Sequence, residues 1–371
     1  MKIGVMINPR SAMKRVFLLL ALLALCGASY ARDFRYVDAA SLTLVGKLFP
    51  DTPNPWHRID TQVYGGFTES EFHQVHQSAG IAVAFRTDSE SILVRPQFLK
   101  IGNGGSTSHI GRMGFDLYIK DRNGQWRWAG ENASGKSGEA KGVIHKMEEG
   151  KMHECLLYMP LFSELESVEI GVFSDCVIEP IDNPFRFRIA VFGSSYTHGY
   201  GCSRPGRTWS ADLARWTGLQ MLSLGCSGNS KLQDYFARAL ADAPVDAYLF
   251  DSFSNPTPEI IEERLFPFIE TIQAKNPGKP LIFLKTIYRE WRAFNTDVDE
   301  KEAAKEKMAE KMMKKAVKKY KDVYYVTTTS AADPLHETTV DGTHPGDHGY
   351  ALWAESVREP VLEILAKYGI Q

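Results

Sequence analysis

A serine, a histidine and an aspartate stand in two short polar segments of this 371-residue chain. Ser195 lies in the stretch AVFGSSYTHGYG, and His344 follows Asp341 by three positions in VDGTHPGDHGY. A serine hydroxyl becomes a nucleophile when a base takes its proton, and histidine titrates near neutral pH. An aspartate that holds the second imidazole nitrogen orients that base and stabilises its charged form. These three residues therefore predict acyl transfer, with Ser195 as nucleophile.

Donors for a developing oxyanion are also present. Gly228 follows the apolar segment MLSLG, and Asn255 follows AYLFDS. N–H groups aimed at the point where negative charge develops lower the barrier to acyl transfer. We expect the oxyanion hole to comprise the N–H groups of Ser195 and Gly228 together with the Asn255 side-chain amide.

Most of these residues follow segments that are predicted to be buried strands. After residue 184 the chain alternates apolar strands with helices in five units, which predicts an α/β fold with a doubly wound, flavodoxin-like parallel sheet. Ligands bind such sheets beyond the carboxyl ends of the strands. The sheet should therefore bring the serine, glycine and asparagine together with the Asp341–His344 segment, which precedes the last helix.

The first half of the chain has a different pattern. Between residues 32 and 183 short apolar runs recur, separated by turn signals such as DRNG. Regularly spaced short strands of this kind predict a β-sandwich or jelly roll. The segment EPIDNPFRF, residues 179–187, contains two prolines and is the predicted linker. We therefore expect a β-sandwich domain at 32–183 and an α/β domain at 184–371.

Residues 187–371 resemble the SGNH (GDSL-type) hydrolases. The family's motif blocks match, in order, Gly193-Ser194-Ser195 with Gly199, then Gly228, then Asn255, then Asp341 with His344. The resemblance implies that Ser195, and not Ser194, is the nucleophile. Two positions depart from the family pattern: Ser194 stands where the family has aspartate, and the third block reads DSFSNP, with Asp251 four residues before the asparagine.

The segment GFDLY, residues 114–118, is similar to the Gly-x-Asp-Leu-Tyr motif of a β-sandwich domain that precedes SGNH hydrolases in exported bacterial proteins. With it, the resemblance covers nearly the whole chain after residue 31. Asp116 either faces the catalytic cleft or is a buried, hydrogen-bonded carboxylate in a strand, and we expect the second.

Four further residues are candidates for substrate binding. They are His198, which follows the nucleophile, and Arg289, Trp291 and Arg292, which follow the fourth predicted strand. Ordinary capping or surface roles fit them as well. His73 and His76 raise the question of a metal, but two imidazoles without a clear third ligand are interpreted as unrelated. No metal and no other cofactor is expected.

The amino terminus predicts export. From Met13 the chain reads MKRVFLLLALLALCGASYARDF, with a basic start, a short apolar run and small residues before Ala31. This is typical of a secretory signal peptide, which we place at residues 1–31 with 1–12 as an upstream start. The run is too short to span a bilayer. We expect a periplasmic or extracellular protein; a lipid anchor at Cys26 is the less favoured alternative.

Charge and cysteine content narrow the class further. The formal net charge of −2 gives no attraction to nucleic acid. Four cysteines remain after the predicted signal peptide, and in an oxidising compartment they permit two bridges. The pairs 155–176 and 202–226 are one interpretation, and four buried thiols are the other.

These observations predict an exported serine esterase with a Ser-His-Asp acyl-enzyme mechanism. The expected substrate is a small-molecule or glycan ester, most simply an O-acetyl group on carbohydrate. Two alternatives stay open: an acyltransferase that uses the same triad, and a catalytically inactive glycan-binding protein. The oligomeric state is left open.

Overall fold

The computed structural model describes residues 32–327 and 330–371, so the predicted signal peptide lies outside the described residues. The strands are β1 (Phe34–Asp38), β2 (Thr43–Val45), β3 (Ala82–Thr87), β4 (Ile92–Ile101), β5 (Phe115–Lys120), β6 (Trp126–Asn132), β7 (Lys141–Ile144), β8 (His153–Tyr158), β9 (Ser163–Phe173), β10 (Ile178–Pro180), β11 (Arg186–Gly193), β12 (Leu219–Gly225), β13 (Ala247–Asp251), β14 (Leu281–Leu284) and β15 (Val323–Val326). The helices are α1 (Glu69–His76), α2 (His109–Met113), α3 (Ser195–His198), α4 (Trp209–Thr217), α5 (Asp234–Asp242), α6 (Pro258–Lys275), α7 (Thr296–Lys319) and α8 (Asp347–Ala366).

The second half of the chain forms a parallel sheet in the order β12-β11-β13-β14-β15. The predicted α/β fold is confirmed, and the strand order is that of flavodoxin-like sheets. Side chains of β11 alternate between two buried cores: Ile189 and Val191 pack with α4 and α8, whereas Ala190 and Phe192 pack with α5, α6 and α7. Since both faces are covered, the strand reads as a continuous apolar run.

The first half of the chain forms two antiparallel sheets. Their orders are β1-β9-β4-β7 and β10-β3-β8-β5-β6, with β2 pairing to β3. Apolar residues of both sheets share one core, which includes Phe85 of β3 and Ile170 of β9. The β-rich character of this domain is therefore confirmed, while its classification as a sandwich or jelly roll stays a prediction.

Helix α1 was not predicted from the sequence. It is eight residues long, and a capping box between Thr68 and Glu71 closes its first turn. The Glu71 carboxylate also accepts hydrogen bonds from Tyr235 Oη at 2.9 Å and Gln233 Nε2 at 2.8 Å. The helix is thus tied to the loop and helix that follow β12.

Asp116 of the GFDLY segment is buried and hydrogen-bonded, as expected. Its carboxylate is 0% exposed and accepts hydrogen bonds from Arg204 Nη1 at 2.9 Å, from the Gly206 N–H at 2.9 Å and from Trp128 Nε1 at 3.0 Å. Two of these donors belong to the loop after α3. The motif therefore fastens the β-rich half to the loop that follows the helix of the predicted nucleophile.

The interpretation of the cysteines as two disulfide bridges is wrong. Cys155, Cys176, Cys202 and Cys226 are all free thiols. Cys202 and Cys226 belong to the cores on opposite faces of the parallel sheet, so the sheet itself separates them. The alternative of buried thiols fits three of the four, because Cys176 is only partly buried.

Among the described residues, no helix combines the length and the hydropathy needed to cross a bilayer.

Candidate active site

Ser195 is the first residue of α3, directly after β11. Ser194 caps this one-turn helix, since its Oγ accepts a hydrogen bond from the Tyr196 N–H at 3.2 Å. Glycine is required at position 193, because a Cβ there would lie 2.2 Å from Thr197 Oγ1. The backbone therefore makes a tight turn between the strand and the helix. This turn places the Ser195 side chain at the carboxyl end of the sheet.

Ser195, His344 and Asp341 form one hydrogen-bonded chain. Ser195 Oγ lies 2.9 Å from His344 Nε2, and His344 Nδ1 lies 2.8 Å from Asp341 Oδ2. The Asp341 carboxylate can only accept, so Nδ1 carries the imidazole proton and Nε2 is left to accept from the serine hydroxyl. The His344 backbone N–H also donates to Asp341 Oδ1 at 2.8 Å, which fixes the carboxylate in place.

The surroundings keep His344 neutral and Asp341 ionised at neutral pH. Burial lowers the pKa of His344 below its ordinary value, although the Asp341 carboxylate offsets part of that effect. Burial acts to raise the pKa of Asp341, but hydrogen bonds from the His344 backbone and ring outweigh it and hold the pKa below its usual range. A neutral imidazole beside a carboxylate is the state that a general base requires.

Two neighbouring side chains, Tyr200 and Ser106, contact His344 and Asp341. The Tyr200 ring packs on the His344 imidazole at 4.2 Å between centroids. Ser106, from a loop of the β-rich domain, donates to Asp341 Oδ2 at 3.0 Å. Both halves of the protein therefore contact the triad.

The strand register brings the predicted oxyanion donors to the same edge. Gly193 is paired with Gly225 on one side and with Asp251 on the other, so the three following loops start level. Gly228 adopts a φ of +73°, which favours glycine, and a Cβ there would meet only open space. Asn255 Oδ1 accepts from the Ser230 N–H at 3.2 Å, and within the described residues its amide nitrogen has no partner. The level strand ends place both residues in loops that start beside the nucleophile turn, and their role as oxyanion donors stays a prediction.

Asp251 explains the unusual Ser194. Its Oδ2 accepts from the Ser194 N–H at 3.0 Å, from Ser194 Oγ at 2.7 Å and from Thr197 Oγ1 at 3.0 Å. The carboxylate is buried, and burial raises its pKa to about 6 while these hydrogen bonds oppose the shift. A carboxylate on β13 thus holds the nucleophile turn, while a serine occupies the position where the family has aspartate.

The loop after β12 is held by the β-rich domain. Gln74 of α1 donates to Ser227 O at 2.8 Å and accepts from Asn229 Nδ2 at 2.9 Å, so one side chain brackets the glycine between them. Arg58 is fully buried and donates to Gly225 O at 3.0 Å. These contacts fix the loop that carries one predicted oxyanion donor.

Arg289 does not point to an open pocket. Its guanidinium donates to Tyr196 Oη at 2.9 Å, to Glu302 at 2.9 Å and to Ser254 O at 3.0 Å. Lys305 Nζ donates to the same Ser254 carbonyl at 2.9 Å. Two cations therefore hold the residue before Asn255, and the geometry favours a positioning role for Arg289 over the substrate contact that the sequence suggested.

Two more candidate substrate contacts, His198 and Arg292, are also held by other residues of the protein. His198 is 0% exposed, with its ring nitrogens 2.9 Å from Leu161 O and 3.1 Å from Ser227 Oγ. Arg292 pairs with two carboxylates of α7, Asp299 and Glu306. Both side chains are occupied by protein partners.

Trp291 alone among these candidates presents a free surface next to the triad. The residue is 60% exposed, and its backbone N–H donates to Gly342 O at 2.9 Å. A Cβ on Gly342 would lie 2.4 Å from the indole ring, so the ring packs directly on the loop between Asp341 and His344.

Sequence reasoning missed Arg58, Gln74 and Ser106. Each is a lone polar residue in a loop or short helix, and its partner lies more than 150 positions away. No local spacing marks them. Among the residues that hold the site, only Asp251 has a signal in the sequence, because it stands at the end of an apolar strand.

Family profiles match both halves of the chain. The profile of the GxDLY domain, described as the N-terminus of SGNH hydrolase-type esterases, covers residues 34–178. That of the GDSL-like lipase/acylhydrolase family covers residues 186–363. No curated protein is similar enough in sequence to count as a match.

Several solved structures share the whole architecture. A Bacteroides ovatus protein assigned as a GDSL-like lipase is 34% identical, with a TM-score of 0.86 over 90% of this chain and 98% of that one. A salicylyl-acyltransferase from a tetracycline biosynthetic pathway is 21% identical, with a TM-score of 0.62 over 92% and 100% of the two chains. A family two carbohydrate esterase from Cellvibrio japonicus is 11% identical, with a TM-score of 0.57 over 90% and 98%. The last two show the fold alone.

The strand-end serine, the Asp-x-x-His segment, the two profile matches and the 34% identity lead to one assignment. The chain belongs to the GDSL-like (SGNH) lipase/acylhydrolase family of hydrolases, with a GxDLY domain at its amino-terminal side.

Proposed function

We propose that the protein is a serine esterase that forms an acyl-enzyme on Ser195. The observation that carries this proposal is the unbroken chain from Ser195 Oγ through His344 to Asp341, with contacts of 2.9 and 2.8 Å. His344 Nε2 takes the hydroxyl proton as the serine oxygen attacks the ester carbonyl. The imidazolium then protonates the leaving alkoxide, and Asp341 stabilises the imidazolium without being protonated.

Three donors would stabilise the tetrahedral intermediate: the N–H groups of Ser195 and Gly228 and the Asn255 side-chain amide. Each such donor typically contributes about 2.7–4 kcal/mol to lowering the barrier. Gln74, Arg58 and Arg289 do not touch the substrate in this proposal. They act as positioning residues, because they fix the two loops that carry the donors. No step requires a metal or an organic cofactor.

Water is the proposed acceptor of the acyl group. The His344 and Asp341 side chains are 18% and 28% exposed, so the base is reachable from solvent. An acyltransferase must exclude water from its acyl-enzyme, and this opening favours hydrolysis instead. The complete triad argues against an inactive glycan-binding protein.

Carbohydrate O-acyl esters, acetyl esters first, are the proposed substrates. The segment after β14 exposes three aromatic rings: Tyr288 at 37%, Trp291 at 60% and Phe294 at 101%. Of these, Trp291 packs on the loop between Asp341 and His344. Exposed apolar surface beside a catalytic group marks a binding site, and a flat ring suits the apolar face of a sugar. The carbohydrate esterase of the same fold is consistent with this substrate class. Export stays a proposal that rests on residues 13–31, and the sandwich architecture of the GxDLY domain stays one as well.

Replacing the nucleophile should abolish turnover. In Ser195→Ala we expect the burst of p-nitrophenol from p-nitrophenyl acetate to disappear and kcat to fall about 10⁶-fold. Ser194→Ala should keep the burst, because that residue contributes only hydrogen bonds to Asp251 and Tyr196. A net hydrogen bond is worth about 1 kcal/mol, so losing these two should cost at most about 30-fold. Acetate release from acetylated xylan, with Ser195→Ala as the blank, tests the substrate class. A burst that persists in Ser195→Ala would contradict the mechanism.

The pH profile should report His344. The imidazole acts as a base only when neutral, so kcat/KM should fall as the pH drops through its pKa. Because burial lowers the pKa of His344 from 6.5, the acid limb should lie below pH 6.5. Asp341→Asn removes a charge that raises this pKa. The limb should therefore move to lower pH while kcat falls about 10⁴-fold. A limb that moves to higher pH in Asp341→Asn would show that the carboxylate does not act on His344.

Loss of Gln74 should impair the chemical step more than binding. Gln74→Ala frees the loop on both sides of Gly228, and misplacement of a catalytic group by about 1 Å can cost about 100-fold in rate. We expect kcat to fall about 10- to 100-fold with KM nearly unchanged. Gln74→Glu keeps the acceptor for Asn229 but loses the donor to Ser227 O, so its kcat should fall as well. Glu69→Gln, on the exposed face of the same helix, is the matched control. Equal kcat in Gln74→Ala and the control would refute the positioning role.

A further inference from the structure

The loop that carries the triad aspartate and histidine is closed by its own backbone hydrogen bonds. The Val340 N–H donates to His344 O at 2.8 Å, and the Gly346 N–H donates to Thr338 O at 2.8 Å. The aspartate side chain also accepts from the backbone and the ring of the histidine within this loop. The triad loop, residues 338–346, is therefore a compact unit, and its distance from the nucleophile depends on contacts from outside the loop.

Glu290, in the segment after β14, supplies four such contacts. Its Oε1 accepts from the N–H and the Oγ1 of Thr338 at 3.0 and 2.9 Å. Its Oε2 accepts from the N–H and the Oγ1 of Thr339 at 3.3 and 2.6 Å. Burial acts to raise the pKa of Glu290, but these hydrogen bonds outweigh it and hold the pKa below its usual range. An ionised carboxylate, which makes stronger hydrogen bonds than a neutral acceptor, therefore holds two consecutive residues at the start of the triad loop.

Apolar packing contributes little at this end of the triad loop. Leu335 and Val340, which flank the two threonines, are 75% and 47% exposed. The intervening Thr338 is only 3% exposed, so its polar groups need partners within the protein. The Glu290 carboxylate provides them, and it therefore fixes where this end of the loop lies.

The two residues next to Glu290 also contact the site. The Trp291 backbone N–H donates to Gly342 O at 2.9 Å, in the middle of the triad loop. Arg289 donates to Tyr196 Oη at 2.9 Å, and that tyrosine directly follows the nucleophile. Three consecutive residues therefore contact both the loop that carries the base and the helix that carries the serine.

We propose that Glu290 is a positioning residue that sets the distance between His344 Nε2 and Ser195 Oγ. Its carboxylate holds the triad loop, while Arg289 holds the nucleophile helix from the same short segment. Glu290 acts through His344 and makes no substrate contact. The inference rests on the proposed esterase mechanism, because it concerns how the base is brought to the nucleophile. A misplacement of about 1 Å in such a pair can cost about 100-fold in rate.

Replacing the carboxylate by an amide should misplace the base. Glu290→Gln keeps the side-chain size, but one acceptor oxygen becomes an NH₂ donor, so one threonine N–H loses its acceptor. With p-nitrophenyl acetate we expect kcat to fall about 10- to 100-fold with KM nearly unchanged. The rate at which a fluorophosphonate labels Ser195 should fall by a similar factor, although all molecules are eventually labelled. Glu337→Gln, at an exposed glutamate next to Thr338, is the matched control and should behave like the parent protein.

Hydrogen exchange tests the same contacts without turnover. The N–H groups of Thr338 and Thr339 both donate to the carboxylate. At least one of them should exchange about tenfold faster in Glu290→Gln than in the parent protein, because its acceptor is lost.

Two results would overturn the positioning role and leave the esterase proposal intact. One is equal kcat and labelling rate in Glu290→Gln and Glu337→Gln. The other is a Glu290→Gln protein of which only a fraction is labelled, at the parent rate, because that pattern indicates partial unfolding. A parent protein without a burst would contradict the esterase mechanism instead. Unchanged exchange at both threonines would then still overturn the contact between Glu290 and the triad loop.

Discussion

The register of three parallel strands is the constraint on which the site depends. Gly193 of β11 is paired with Gly225 of β12 and with Asp251 of β13, so the loops that follow begin at one level. The absence of a side chain at position 225 lets α3 lie directly on the sheet edge, since a Cβ there would be 2.1 Å from the His198 backbone nitrogen. A shift of one residue in the β11–β13 pairing would separate the nucleophile turn from the carboxylate that holds it, and a shift in the β11–β12 pairing would displace the loop that carries Gly228. The pairing of the strand backbones therefore fixes the relative positions of the loops that carry the proposed site residues.

The β-rich domain completes this arrangement. Arg58 and Gln74 hold the loop after β12, Ser106 donates to the triad aspartate, and Asp116 fastens the loop after α3. These contacts include a fully buried guanidinium and a fully buried carboxylate, both of which would be costly to expose without their partners. The two halves therefore form one structural unit, in which the sheet carries the proposed reacting groups and the β-rich domain holds their loops.

The sequence predicted the parts whose signals are local. A glycine and two serines after an apolar run, and an aspartate three residues before a histidine, mark the triad without knowledge of the fold. The residues that hold the triad carry no such mark, because Ser106 and Asp341, for example, are 235 positions apart. Arg289 looked like a substrate contact because it follows a strand, yet its partner Glu302 lies on the next helix, and only packing shows that they meet.

Covalent labelling tests the central claim most directly. The purified protein would be treated with a fluorophosphonate, which reacts with an activated serine hydroxyl, and the modified peptide would be sequenced by mass spectrometry. The geometry predicts one adduct, on Ser195, that depends on His344 and is lost in His344→Ala. An adduct on Ser194, or labelling of Ser195 that is equally fast without His344, would contradict the account.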